Sequence, residues 1–299
     1  MDLKARKVKL CWQNRVFYAI CYIVTAILTV VVLYPIVYIV SASFSSGSAI
    51  TSGKVFLYPV DISLLGYKAV LKYQNVWIGY RNTLLYTVAG TFINVCLTLL
   101  CAYPLARKNL RGRGFFTMIF TFTMIFSGGM IPHYILMKKL GLINTIWSML
   151  LPGGMSVYNM IVARTFIQNN IPDEMIEAAR IDGCSDIRQF YKIVLPLSKA
   201  IIAVLALWYA VGHWNSYFNA FLYLSDKNLY PLQIFLKDIL VQSSFNSDLL
   251  DPDIVAQMEN LKTVLKYSMI VISTAPLFCF YPFVQKYFVR GVMIGSVKG

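Results

Sequence analysis

Between Arg15 and Lys54 the chain carries no Asp, Glu, Lys or Arg, and within that interval Val16–Ile39 is a 24-residue run that is almost wholly apolar. A helix of that length is long enough to cross a hydrocarbon core about 30 Å thick. A cleavable secretory signal has a shorter apolar core, about 7–15 residues. The run therefore reads as a retained membrane helix, although the small residues Ser41, Ala42 and Ser43 follow it. Five more runs lack charged residues: 83–105, 115–136, 142–163, 200–224 and 267–285. Hydrocarbon offers no water to unpaired backbone groups, so each run is expected to be helical. The fold class that follows is an all-α membrane protein with six transmembrane helices. A body at 16–288 is flanked by a basic segment at 1–15 and a tail at 289–299.

Composition agrees. Hydrophobic residues make up 58% of the chain and charged residues 13%, against roughly 25% charged in a soluble domain. The net charge of +14 is spread between the apolar runs and forms no dense basic block, so nucleic acid is not the expected partner. With the N-terminus inside, the inner segments hold 17 of the 27 Lys and Arg residues. The positive-inside rule then places both termini and the polar insert at 171–199 in the cytoplasm. Tyr34, Tyr38, Trp77, Trp147 and Tyr281 lie near run ends, as interfacial aromatic residues do.

Catalytic chemistry is missing. Gly47 to Lys54 resembles a phosphate-binding loop, but its spacing is one residue too long and Val55 stands where a hydroxyl is needed. Six cysteines form no CxxC pair, and His133 and His213 stand alone. No enzyme, no metal site and no cofactor bound by this chain is expected. His213 falls inside a span, as a packing residue or a functional one.

Several spans contain helix disturbers. Pro152-Gly153-Gly154 and Ser127-Gly128-Gly129 with Pro132 fit either a kink or a broken helix lining a solute path. The segment Lys227–Lys262 is expected on the outer side, with a helix whose apolar face is Leu232, Phe235, Leu236, Ile239 and Leu240. In the fifth run, Trp214, Tyr217, Phe218 and Phe221 fall at i, i+3, i+4 and i+7. Asn215 and Asn219 form an adjacent strip. These six are the pathway and substrate candidates, because aromatic rings offer stacking faces and amides bond the polar groups of a solute. Helix-to-helix packing accounts for the same residues equally well.

In the insert, Pro172, Asp173 and Glu174 suit a helix start, and Gly183 suits a left-handed end. Ser185 can cap a second helix that runs from Asp186 to Val194 and ends at Pro196. The product is a helical hairpin with small residues, Ala178, Ala179 and Gly183, at one side of its turn, and with Met175, Ile176 and Ile181 as apolar anchors.

Glu177-Ala178-Ala179, three residues, Gly183, nine residues, Ile193, one residue and Leu195-Pro196 resemble the EAA motif of the membrane subunits of bacterial ATP-binding-cassette importers. The motifs Ser127–Pro132, Gly141–Thr145 and Gly212–Phe218 are similar to carbohydrate importers of the maltose-permease type, shorter subunit, in the branch linked to complex polysaccharides. The resemblance implies a type I importer fold in which 171–199 is the coupling loop. Met175, Ile176, Glu177, Ala178, Ala179, Arg180, Asp182 and Gly183 would meet an ATPase. It also implies several partners: a second, homologous permease, two ATPase subunits carrying ATP and magnesium, and an extracellular solute-binding lipoprotein. Residues 242–253 would probe that binding protein, and the tail would reach the ATPase pair. The same machinery for an amino acid or peptide, and a carrier without an ATPase, are the alternatives.

Overall fold

The computed structural model describes residues 12–241 and 252–292, and among these residues every regular element is helical. The chain divides into two compact units. One comprises residues 1–70 and 243–271, the other 71–242 and 272–299.

In the first unit, α1 (Trp12–Ser43) runs without interruption through Pro35. It is apolar on all sides and exposed over most of its length, the pattern of a helix solvated by lipid or by another membrane chain. Its last turn enters a small core of Ala42, Ala49, Ile50, Val55 and Val264. The serines there are buried and bonded. Ser41 Oγ donates to the Leu57 carbonyl at 2.6 Å, and Ser45 Oγ accepts from the Val60 amide at 3.0 Å. The Ser-rich stretch thus folds back on the helix end instead of forming a loose loop.

The second unit is built on α2 (Gln74–Ala106). It continues with α3 (Arg113–Ile125), α4 (Met130–Lys139), α5 (Val157–Asn170), α6 (Asp173–Ile181), α7 (Asp186–Leu197), α8 (Lys199–Trp214), α9 (Tyr217–Tyr223) and α10 (Leu232–Val241). The last helix, α11 (Pro252–Val292), begins in the first unit and ends in the second. Leu99, Ala102, Met160, Ala163, Ile167, Val204 and Leu205 interlock α2, α5 and α8 into the main core. At Gly90 the ring of His213 lies so close that a Cβ would collide with it.

Among the described residues three helices are long and apolar enough to cross a membrane, and two bent pairs add up to two more by length and composition. The expected spans at 115–136, 142–163 and 200–224 are not continuous helices. α3 and α4 meet at 111° across Phe126–Gly129, where Gly129 has φ +84°. The run 142–163 contains a short helix, Trp147–Leu150, and then non-helical backbone around Pro152–Gly154 before α5 starts. The fifth run breaks at Asn215–Ser216. Each break falls on residues that favour turns or leave the backbone free to bend. The helix at Leu232–Val241 buries Leu232, Ile234 and Phe235, with Leu232 and Phe235 packed on Gly79 of α2.

Candidate functional site

The hairpin α6–α7 exposes most of its polar side chains, among them Glu174, Glu177, Arg180, Asp182, Asp186 and Arg188. Pro172 caps α6 with φ −58° and ψ 141°, so the helix begins one residue later than the sequence implies. Gly183 adopts φ +76°, the left-handed value a β-carbon resists. Ser185 Oγ accepts from the Arg188 amide at 3.4 Å and caps α7. Pro196 does not end α7. The sequence Phe190–Val194 forms a π turn, the helix passes through Pro196 to Leu197, and an 81° bend at Ser198 leads into α8. A π turn widens the ladder and removes the conflict between the proline ring and the preceding carbonyls.

The hairpin has one anchored face and one bare face. Ile176 is 5% exposed and packs in the main core with Leu105, Ala106, Ile171, Phe190 and Val194. It therefore holds α6 to the membrane body and is not available to a partner, which corrects its expected place in the docking set. Phe190 meets Tyr103 at 5.2 Å between ring centroids. Asp173 receives Lys108 Nζ at 2.9 Å and lies 3.8 Å from Arg107, whose guanidinium covers the Tyr103 ring at 4.9 Å. The hydrogen bond from Lys108 and the nearby positive charges hold the Asp173 carboxyl below the usual carboxylate range. The same contact pushes the Lys108 amine up. On the bare side stand Met175, Glu177, Ala178, Arg180, Asp182 and Gly183, with Ala179 half-buried. Ile181 is 86% exposed and Ile187 72%, on either side of the Gly183 turn. Arg180 Nη2 donates to Asp186 at 3.3 Å across the turn.

The fifth-span residues do not share the single face that an unbroken helix would give them. Trp214 is buried, and its indole Nε1 donates to the Ser273 carbonyl at 3.0 Å. Asn215 sits in the break, where its amide Nδ2 donates back to the Val211 carbonyl at 2.9 Å. Beyond the break Tyr217 stacks on Phe221 at 5.9 Å, and Lys237 Nζ stands 5.2 Å from the Phe221 ring centroid. Phe218 and Phe221 are exposed and Tyr217 and Asn219 half-buried, while Trp214 before the break is buried. His213 is buried at Gly90, and its Nε2 has no hydrogen-bond partner.

Other polar links were invisible to spacing arguments. Thr98 Oγ1 and the Tyr209 hydroxyl are 2.7 Å apart, and the Ser156 amide donates to that hydroxyl at 3.1 Å. They tie α2 to α8 and to the non-helical stretch before α5. Asn144, with φ +58°, accepts at its Oδ1 from the Ser225 and Asp226 amides at 2.9 Å each. The Gly141–Thr145 motif therefore fastens the end of α9. The signal available in the sequence was an Asn placed after a glycine turn, a residue type that tolerates the left-handed region. Asn82 Nδ2 donates to the Asn228 and Tyr230 carbonyls at 2.6 and 3.0 Å, and Thr83 Oγ1 accepts from the Leu232 amide at 2.9 Å. These bonds hold the entry to α10 on α2. The probe expected at 242–253 and the tail expected at 289–299 fall mostly outside the described residues.

A helical membrane body with broken apolar segments, from which one anchored hairpin projects, defines a membrane subunit of a transport system. The family model for the binding-protein-dependent transport system inner membrane component matches residues 8–294, and the chain belongs to that family. Among curated relatives, Protein LplC of Bacillus subtilis is 38% identical over 269 residues, covering 90% of each chain. The polygalacturonan/rhamnogalacturonan transport system permease protein YtcP of the same organism is 36% identical over 288 residues, covering 96% of this chain and 100% of the other. A chain from the crystal structure of a bacterial ABC transporter involved in import of the acidic polysaccharide alginate superposes with a TM-score of 0.85 at 35% identity. That match covers 94% of this chain and 100% of that one. The protein is a permease of an importer, not an enzyme, and no group of ligating side chains suited to a metal occurs among the described residues.

Proposed function

We propose that this chain forms half of the translocation pathway of an ATP-driven importer for an oligosaccharide derived from a complex polysaccharide. A second, homologous permease forms the other half. Two ATPase subunits dock in the cytoplasm, and an extracellular solute-binding lipoprotein delivers the sugar. The observation that carries the reading is the hairpin: its EAA spacing coincides with a solvent-facing Gly183 turn, while Ile176 and Phe190 root it in the core. A lever of that kind transmits force only when its root is rigid and its tip is free to be gripped. ATP binding and hydrolysis on the partner subunits, which carry ATP and magnesium, would move the hairpin and switch the membrane body between inward-facing and outward-facing states. Tyr217, Phe218, Asn219 and Phe221 are the side chains assigned to the pathway. They combine stacking surfaces with an amide and lie beside a helix break. The sugar assignment is supported by what the two relatives of named substrate carry, polygalacturonan or rhamnogalacturonan in one and alginate in the other.

The test is uptake by the assembled importer in proteoliposomes with its binding protein. Oligosaccharide uptake that requires ATP is expected. Uptake of amino acids or peptides alone would overturn the sugar assignment, and uptake independent of ATP would overturn the ATPase partnership. Cysteines introduced at Ser185 and Tyr58 are expected to label only from the cytoplasmic and outer sides respectively.

A further inference from the structure

One face of α3, from its first turn to the break at Phe126, carries an open groove of about 610 Å³. Arg113, Thr117, Thr121, Phe122 and Phe126 line it, with Arg164 of α5 at one end. Arg113 and Phe126 are thirteen residues apart, so the helix beneath the groove is roughly 20 Å long. That length matches a headgroup level plus one leaflet of a hydrocarbon core about 30 Å thick. The two ends differ chemically. At one, Arg164 Nη1 donates to Thr117 Oγ1 at 3.4 Å, and Arg164 Nε is buried without a hydrogen-bond partner. Among the described residues neither Arg113 nor Arg164 has a carboxylate within ion-pair distance, and Asp173 is engaged by Lys108 and Arg107 instead. Toward the other end, Phe122, Ile125 and Phe126 are exposed apolar wall.

Two guanidiniums with no ion-paired carboxylate, at one end of an apolar channel, complement an anionic amphiphile of the same length. Guanidinium groups bind phosphate oxygens through paired N–H donors, and basic pockets at the cytoplasmic surface attract anionic headgroups. We propose that this groove is a binding site for an anionic phospholipid. The phosphate sits on Arg113 and Arg164, and one acyl chain lies along Phe122 and Phe126. The proposal rests on a cytoplasmic α3 N-terminus, the side on which the positive-inside rule puts Arg107, Lys108, Arg111 and Arg113, and the cysteine labelling tests that orientation separately.

The experiment uses the assembled importer in nanodiscs of phosphatidylcholine doped with phosphatidylglycerol. Native mass spectrometry counts the retained anionic lipid, and a benzoylphenylalanine at Phe122 reports what lies in the groove. The wild-type chain is expected to retain one more phosphatidylglycerol than R113Q/R164Q. Its apparent affinity is expected to be about thirty-fold higher, from the attraction of two basic side chains. The photoprobe is expected to attach to lipid. Equal retention by the two proteins would overturn the proposal, and so would a cross-link from position 122 to the second permease. If the double variant fails to assemble, the cross-link in the otherwise wild-type chain decides the question.

Discussion

The turn of the hairpin offers a perturbation whose intrachain effect and partner effect can be separated. Gly183 has φ +76°, and a Cβ built there meets no heavy atom within 4 Å. An alanine there therefore suffers the left-handed backbone penalty, about 1–2 kcal/mol, and its Cβ meets nothing else within this chain. Gly183→Ala adds that strain and almost no bulk. Gly183→Trp adds the same strain and projects an indole from the bare face, between Ile181 and Ile187. The two variants should thus have matching thermal stability and membrane abundance. They should differ at the partner. A large side chain forced into a close-packed contact has the weight of an interface hot spot, about 2 kcal/mol or more. Relative to Gly183→Ala, the Trp variant is expected to retain at least about tenfold less ATPase on co-purification. The assay is quantitative pull-down of the ATPase through a tagged permease, with abundance measured on the same membranes. Equal retention by the Ala and Trp variants would refute the assignment of this turn to docking.

Two further predictions concern the root of the hairpin and the packing of the body. Asp173→Asn removes the acceptor of the Lys108 and Arg107 contacts, and amide exchange in α6 should rise by about threefold, because exposed pairs contribute little. The sign in pH follows from the shifts. The depressed Asp173 carboxyl stabilises the hairpin above its unfolded value near pH 4 and loses that contribution as acid protonates it. The raised Lys108 contributes below about pH 10.4 and loses its part above that. High salt should weaken the tether at neutral pH, and an α6 exchange rate insensitive to salt, acid and Asp173→Asn alike would refute it. At Gly90 a methyl group would drive into the His213 ring, so Gly90→Ala should destabilise the detergent-solubilised protein by about 1–3 kcal/mol. His213→Ala in the same chain should recover most of that loss, and additive effects of the two substitutions would show that the close approach is not the cause.

Much of the hairpin was legible because its determinants are local. The left-handed Gly183 and the Ser185 cap each depend on residues within four positions. Even there, burial escaped the sequence. Ile176 and Ile181 look alike as apolar residues beside the EAA core, yet one is 5% exposed and the other 86%. The difference comes from where Leu105, Phe190 and Val194 lie around α6. The fifth span shows the same limit more sharply. Its i, i+3, i+4, i+7 pattern assumed an unbroken helix, whereas the helix breaks at Asn215 and the buried Trp214 donates its indole N–H to the carbonyl of residue 273.

The sequence alone determined that this chain lives in a membrane and that one polar insert projects from it. Both follow from the absence of charge over lengths that match the hydrocarbon thickness, and hydration free energy acts on each residue whatever its neighbours do. Only the tertiary structure decided which segments bend, which face of the hairpin is rooted, and which arginines, among the described residues, have no carboxylate within ion-pair distance. Those outcomes depend on contacts between residues tens of positions apart. Thr98 with Tyr209 and Arg164 with Thr117 are such pairs, and no local pattern encodes them.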